Sequence, residues 1–243
     1  IYIREMDGDM HLNTVESKKG LVYLISDRNI ENSNIDGINI HGKKVLLMAG
    51  GAIGSENNYL KSKVTYMEAV AREGGIWLHN TGNLIIGNES KRKGINAQGP
   101  VYLQASKGLT VAESIHATEE IVLASLDSDR RGDDIVICNG VLIRSQDSFI
   151  LLQAGDNLLL KRRAALEAAR EVILRIDHGN ADPGRGGIVQ AYGKISAELL
   201  HIEGNEDSDI FIYVGRAVGT NAEINGMAGD DIFHLYRTTN DLT

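Results

Sequence analysis

Cysteine is nearly missing from this chain. Cys138 is the only one in 243 residues, so no internal disulfide can form. Its neighbours Ile135 and Ile137 predict a small buried residue. Proline occurs twice, and aromatic residues number only twelve (one Trp, eight Tyr, three Phe). A core must therefore be assembled from Ile, Leu, Val and Ala. No apolar run is long enough to span a bilayer. The chain starts at Ile1 with neither Met nor a secretory leader, which reads as a piece cut from a longer polypeptide. Basic residues are dispersed over a formal net charge of −8, which argues against a nucleic-acid surface. The local exception, Lys161-Arg162-Arg163, reads as a solvated edge, with an anion site as the other reading.

Catalytic and metal signatures are scarce as well. The seven histidines lie 23 to 62 residues apart, without metal-ligand spacing, and no H-E-x-x-H, C-x-x-C or G-x-S-x-G is present. Residues Gly37 to Lys44, GINIHGKK, come close to a phosphate loop. Lys44 occupies the place of the Mg²⁺-binding hydroxyl, however, and Ile38 and Ile40 alternate as in a strand.

A repeated phrase is present instead. Val101 to Leu109, VYLQASKGL, returns as Ile150 to Leu158, ILLQAGDNL. Written apolar–x–Leu–x–small–x–x–x–apolar, it also fits Val22 to Ile30, Val45 to Ile53 and Ile76 to Leu84. Looser copies begin at Ile121, Ile135 and Val172. Starts that step by 14 to 31 residues are the mark of a solenoid. The first and third residues of each phrase share one face of a strand. The small residue and the Gly or Asn after it allow a turn, and the next apolar residue re-enters the interior on a second face. One such coil cannot bury its inner face, whereas stacked coils can. The predicted fold is all-β: a right-handed parallel β-helix with coils of roughly 20–30 residues, residues 1–200 forming its main body.

Leu158 to Ile176, LLLKRRAALEAAREVILRI, tests that prediction. Its composition suits an amphipathic helix. Its even positions from Leu158 to Ile176 are apolar except Arg162 and Arg170, which is period two and predicts strands.

Ala49 to Leu60, AGGAIGSENNYL, followed by Gly74 to Gly87, GGIWLHNTGNLIIG, resembles the repeat regions of large bacterial surface proteins of the filamentous-haemagglutinin and giant-adhesin kind. The likeness is one of repeat grammar over residues 1 to 236. It implies a secreted or cell-surface location and a role as a rigid stalk or adhesive rod. The implied partners are neighbouring segments of the same polypeptide or identical subunits, with surface glycans or a host receptor as further candidates.

Residues 201–243 carry a second echo. Ile202 to Phe211, IEGNEDSDIF, aligns with Ile224 to Phe233, INGMAGDDIF, and both resemble the calcium-binding nonapeptide of RTX proteins. That resemblance places Gly226, Gly229, Asp231 and, in the first copy, Gly204 and Asp209 at calcium-ligating turn positions. Met227, Asn205 and Asp207 depart from the glycine pattern. Calcium turns and plain turns with solvated carboxylates therefore both stand as readings, and no other cofactor is indicated.

Two further motifs bear on function. Arg131-Gly132-Asp133 spells an integrin-type tripeptide in a loop expected to be exposed. Asp127, Asp129, Asp133 and Asp134 form the densest acidic cluster, and acidic residues on the outer face of a β-helix can process a sugar chain. Against a catalytic groove, aromatic platforms are few. The sequence favours a mechanical, non-enzymatic role, with a polysaccharide-binding or polysaccharide-processing β-helix as the alternative.

Overall fold

The computed structural model describes residues 1–34, 36–87 and 94–236. The end of the 201–243 segment thus lies outside the described residues. Among those described there is no helix, and parallel strands stack into a β-solenoid of about ten turns.

From Ile76 onward each coil contributes three short strands, one to each of three faces. On the first face Ile76–Asn80 pairs with Val101–Ala105, then Ile121–Ser125, Ile150–Ala154, Glu171–Arg175, Leu199–Glu203 and Asn221–Asn225. The second face runs from Leu84–Ile86 through Leu109–Val111, Ile135–Ile137, Leu158–Leu160, Ile188–Ala191 and Ile210–Tyr213 to Ile232–Leu235. The third runs from Tyr66–Ala71 through Ile95–Ala97, Ile115–Ala117, Leu142–Ser145, Ala165–Ala168 and Lys194–Ser196 to Arg216–Val218.

One column of side chains shows how the core is built. Met10, Ile30, Ile53, Ile76, Val101, Ile121, Ile150, Val172, Leu200 and Ala222 are successive partners on the first face. The step per coil varies from 20 residues (Met10 to Ile30) to 29 (Ile121 to Ile150). Strands alternate inward and outward, so Val101–Ala105 and Ile150–Ala154 both read buried, half-buried, buried, half-buried, buried. Each inward Ile, Leu or Val contributes roughly 1.5–3 kcal/mol by leaving water. Without aromatics to fill space, aliphatic chains meet like neighbours coil upon coil.

The five phrases do not all occupy one face. Ile76, Val101 and Ile150 stack on the first, whereas Val22 pairs with Val45 and Val45 with Met67 in the ladder that continues as the third face. The looser copy at Ile135 belongs to the second face, between Leu109 and Leu158. The cause lies in the first coils, where the long strands Val15–Ser26 and Ile40–Ala49 run through a corner, with a register shift between Ser17 and Leu21. All five phrase-opening residues are nevertheless buried.

The helix-like segment is three strands, Leu158–Leu160, Ala165–Ala168 and Glu171–Arg175. Leu158, Leu160, Ala164, Leu166, Val172, Leu174 and Ile176 are buried, while Arg162 and Arg170 are exposed. Arg163 sits at the corner with φ 62°. Tertiary stacking thus overrides helix propensity. The phosphate-loop lookalike enters the strand Ile40–Ala49, and Lys44 lies 5.7 Å from the Tyr66 ring. Cys138 is half-buried against the core.

Candidate functional site

The corner between the first and second faces gathers the acidic residues. Its loops, residues 126–134, 155–157, 176–187, 204–209 and 226–231, lie one above another in five successive coils. The three-residue loop 155–157 is flanked by two long ones, 126–134 and 176–187, which arch past it and touch. The Ala181 amide donates to Asp127 Oδ2 across two coils, and Gly179 packs against Asp127 so closely that a β-carbon there would crowd the Asp127 side chain. Gly155 is pressed onto the Asp127 backbone in the same way.

This arch brings one carboxylate from each of three coils together. Asp127, Asp156 and Asp182 each place an oxygen within 4.8 Å of the other two. Asp156 and Asp182 are each 8% exposed. Asp156 Oδ2 accepts from the Gly132 and Asp133 amides. Asp182 Oδ2 lies 3.5 Å from the Arg185 guanidinium, while Asp182 Oδ1 and Asp127 Oδ1 are buried without a hydrogen-bond partner. Beside them Asn180, at φ 51°, also has a buried, unpartnered side-chain oxygen, and its amide nitrogen donates to Glu206.

The electrostatics follow from burial. Loss of water raises the Asp127 pKa against the Ala181 amide, which lowers it, and the Asp182 and Asp156 charges raise it further. Asp177, 1% exposed and with Oδ2 unpartnered, is pushed up to about 7, by burial first and then by Asp209, Asp207, Asp127 and Asp182. Asp133 and Asp209 are also raised, chiefly by desolvation.

The sequence-based candidates are dispersed by this geometry. Asp129 points to solvent, 4.0 Å from Arg130. Asp134 Oδ1 accepts from the backbone and side-chain nitrogens of Asn157. Asp133 is only 2% exposed and accepts from the Ser128 hydroxyl at 2.6 Å. Of the expected exposed tripeptide, then, Arg131 and Gly132 face solvent and Asp133 does not: its carboxylate turns inward to accept from Ser128. Lys161-Arg162-Arg163 lies at a different corner, after Leu158–Leu160.

The Gly226–Asp231 and Gly204–Asp209 turns stack on the upper side of the acidic corner. Asp209 Oδ1 accepts from Gly187 one coil back, and Oδ2 from Asn205 in its own turn. Asp231 Oδ1 in turn accepts from Asp209. Gly204 and Gly226 are required because the Asp209 and Asp231 carboxylates lie where a β-carbon would be, and Gly229 adopts φ 97°. These aspartates thus cap backbone amides from coil to coil. Gly204→Ala is expected to lower the unfolding free energy by about 1–3 kcal/mol in urea titrations, since the methyl overlaps Asp209 Oδ2.

A shallow groove of about 430 Å³ crosses the third face, lined by Arg72, Gln98, His116, Thr118, Arg144 and Gln146. Burial, then the Arg144 charge, lowers the His116 pKa, so that imidazole favours its neutral form. Outward aromatics do line up on the first face, where Trp77 and Tyr102 stack at 6.4 Å.

Convergence of Asp127, Asp156 and Asp182 was only half visible in the sequence. Asp127 and Asp156 both stand six residues after a phrase start, Ile121 and Ile150, so aligning the copies puts them in register. Asp182 lies deep in a long loop, and only the arch reveals it. No protein-family model, no curated protein and no solved structure matches this chain.

Proposed function

We propose that the chain is a mechanical segment of an extracellular bacterial surface protein, serving as a rigid stalk, filament or surface-layer element. The observation that carries this reading is the unbroken column from Met10 to Ala222. Its side chains are buried from Met10 to Leu200, and stacked parallel coils resist bending because each rung is hydrogen-bonded to the next. Exposed apolar residues gather at the two ends, with Ile1, Tyr2, Ile3 and Met6 at one and Ile232, Phe233, Leu235 and Tyr236 at the other. Such open edges are surfaces for a further coil, from the same polypeptide or an identical subunit. Among the described residues no helix is long and apolar enough to cross a membrane.

Small-angle scattering tests the rod. Ten coils at about 4.8 Å each give a column about 48 Å long. Side-by-side or end-to-end association should lengthen or thicken it with concentration. A compact, concentration-independent envelope would remove the reading.

The third-face groove favours one alternative, binding or processing of an acidic polysaccharide, since guanidinium, imidazole and amide groups there can hydrogen-bond a sugar chain. Binding to a panel of acidic polysaccharides that Arg144→Ala abolishes would move the reading to a glycan-binding β-helix. Sustained turnover of such a chain by the wild type would make the protein an enzyme.

A further inference from the structure

The three convergent aspartates do no work in the stacking just described that would explain their convergence. Asp156 Oδ2 does cap two amides, and Asp127 Oδ2 accepts from the Ala181 amide. Asp182, by contrast, is more than nine-tenths buried and keeps Oδ1 without any partner. Asp127 Oδ1 is likewise buried and unpartnered. Arg185 meets the other oxygen of Asp182, at 3.5 Å, which leaves three carboxylates facing one guanidinium.

A buried carboxylate oxygen facing two others is costly unless a proton or a cation sits among them. We propose that Asp127, Asp156 and Asp182 bind one hard divalent cation of the calcium class, which pins three successive coils together at the acidic corner. The donor set fits that class: carboxylate oxygens only, supplied by two long loops and a short one, without the nitrogen or sulfur donors that select zinc or copper. The site lies apart from the Gly226–Asp231 turn, whose neighbouring Asp209 already accepts amides with both oxygens. It also explains the arch, since the cation lies where loops 126–134 and 176–187 close over 155–157.

The test uses the whole chain stripped with EDTA and titrated with calcium alone. Isothermal titration should show one site per chain, and calcium should raise the thermal midpoint. Asp182→Asn should weaken binding by more than about tenfold. In EDTA the same variant should be at least as stable as the wild type, because an uncompensated charge is gone. That reversal separates ligand loss from misfolding. Asp231→Asn should leave calcium affinity unchanged. The absence of both binding heat and a thermal shift with calcium up to millimolar concentration would overturn the proposal. So would calcium binding that survives Asp182→Asn and is lost in Asp231→Asn, which would place the ion in the terminal turns. Neither outcome depends on whether the rod is structural or glycan-binding.

Discussion

Leu152→Lys is expected to sever the column, while Leu151→Lys, one residue earlier, unfolds within about 0.5 kcal/mol of the wild type. The two leucines differ only in direction. Leu152 is fully buried between Leu123 and Leu174 in the coils on either side, and Leu151 points outward beside Val122 and Ile173. A lysine at 151 lays its methylenes along those outward neighbours and keeps its ammonium in water. A lysine at 152 has no carboxylate to meet inside the column, and an unpaired buried charge costs several kcal/mol. Natural domains hold only about 5–15 kcal/mol in total. Because a solenoid's stability is a chain of nearest-neighbour terms, the damage should centre on the coils that touch residue 152. Limited proteolysis should therefore cut between about residues 121 and 176, with loss of strand signal in circular dichroism. Equal behaviour of the two variants would mean that residues 151 and 152 do not alternate across a wall, contrary to the stacking register.

That contrast also shows why so much of the fold is legible from residue order. A strand in a solenoid wall buries every second side chain, and inward positions meet their own kind above and below. Period two therefore survives even where composition suggests a helix, as in Leu158 to Ile176. Which wall a phrase occupies is not legible. Val22 and Val45 carry the same phrase as Ile76 yet lie in the ladder of the third face, because the strands Val15–Ser26 and Ile40–Ala49 turn a corner without a break.

The corner loops are less legible still. They range from residues 155–157 to 176–187, and spacing alone does not say which acid faces which. Asp127, Asp129, Asp133 and Asp134 are neighbours in sequence, but the structure sends them to four different environments. It assembles the carboxylate triplet from three separate coils instead. Local density of charge is a poor guide where the contact distance runs along the column rather than along the chain.

Asp177→Asn is expected to stabilise the metal-free protein by about 2–4 kcal/mol at pH 8 and by almost nothing at pH 4. Asp177 has its pKa raised to about 7 in the folded chain, against an ordinary 3.8. Between those values the folded state holds a proton that the unfolded state has released. Stability therefore falls as pH rises from about 4 to about 7, and levels off above that. Asparagine removes the charge that Asp209, Asp207, Asp127 and Asp182 oppose, and it tolerates the left-handed φ of 52° at this position. The backbone contacts of residue 177, its carbonyl accepting from Asn205 and its amide donating to Asp156, do not involve the side chain. Urea titrations in EDTA at pH 4, 6 and 8 should show the wild type losing stability across that window and the variant losing far less. With calcium present the advantage at pH 8 should shrink in part, because a cation among Asp127, Asp156 and Asp182 relieves the share of the repulsion that Asp127 and Asp182 contribute, while burial, Asp209 and Asp207 still act. Parallel pH curves for both proteins in EDTA would mean that the charge at Asp177 is already relieved within the corner.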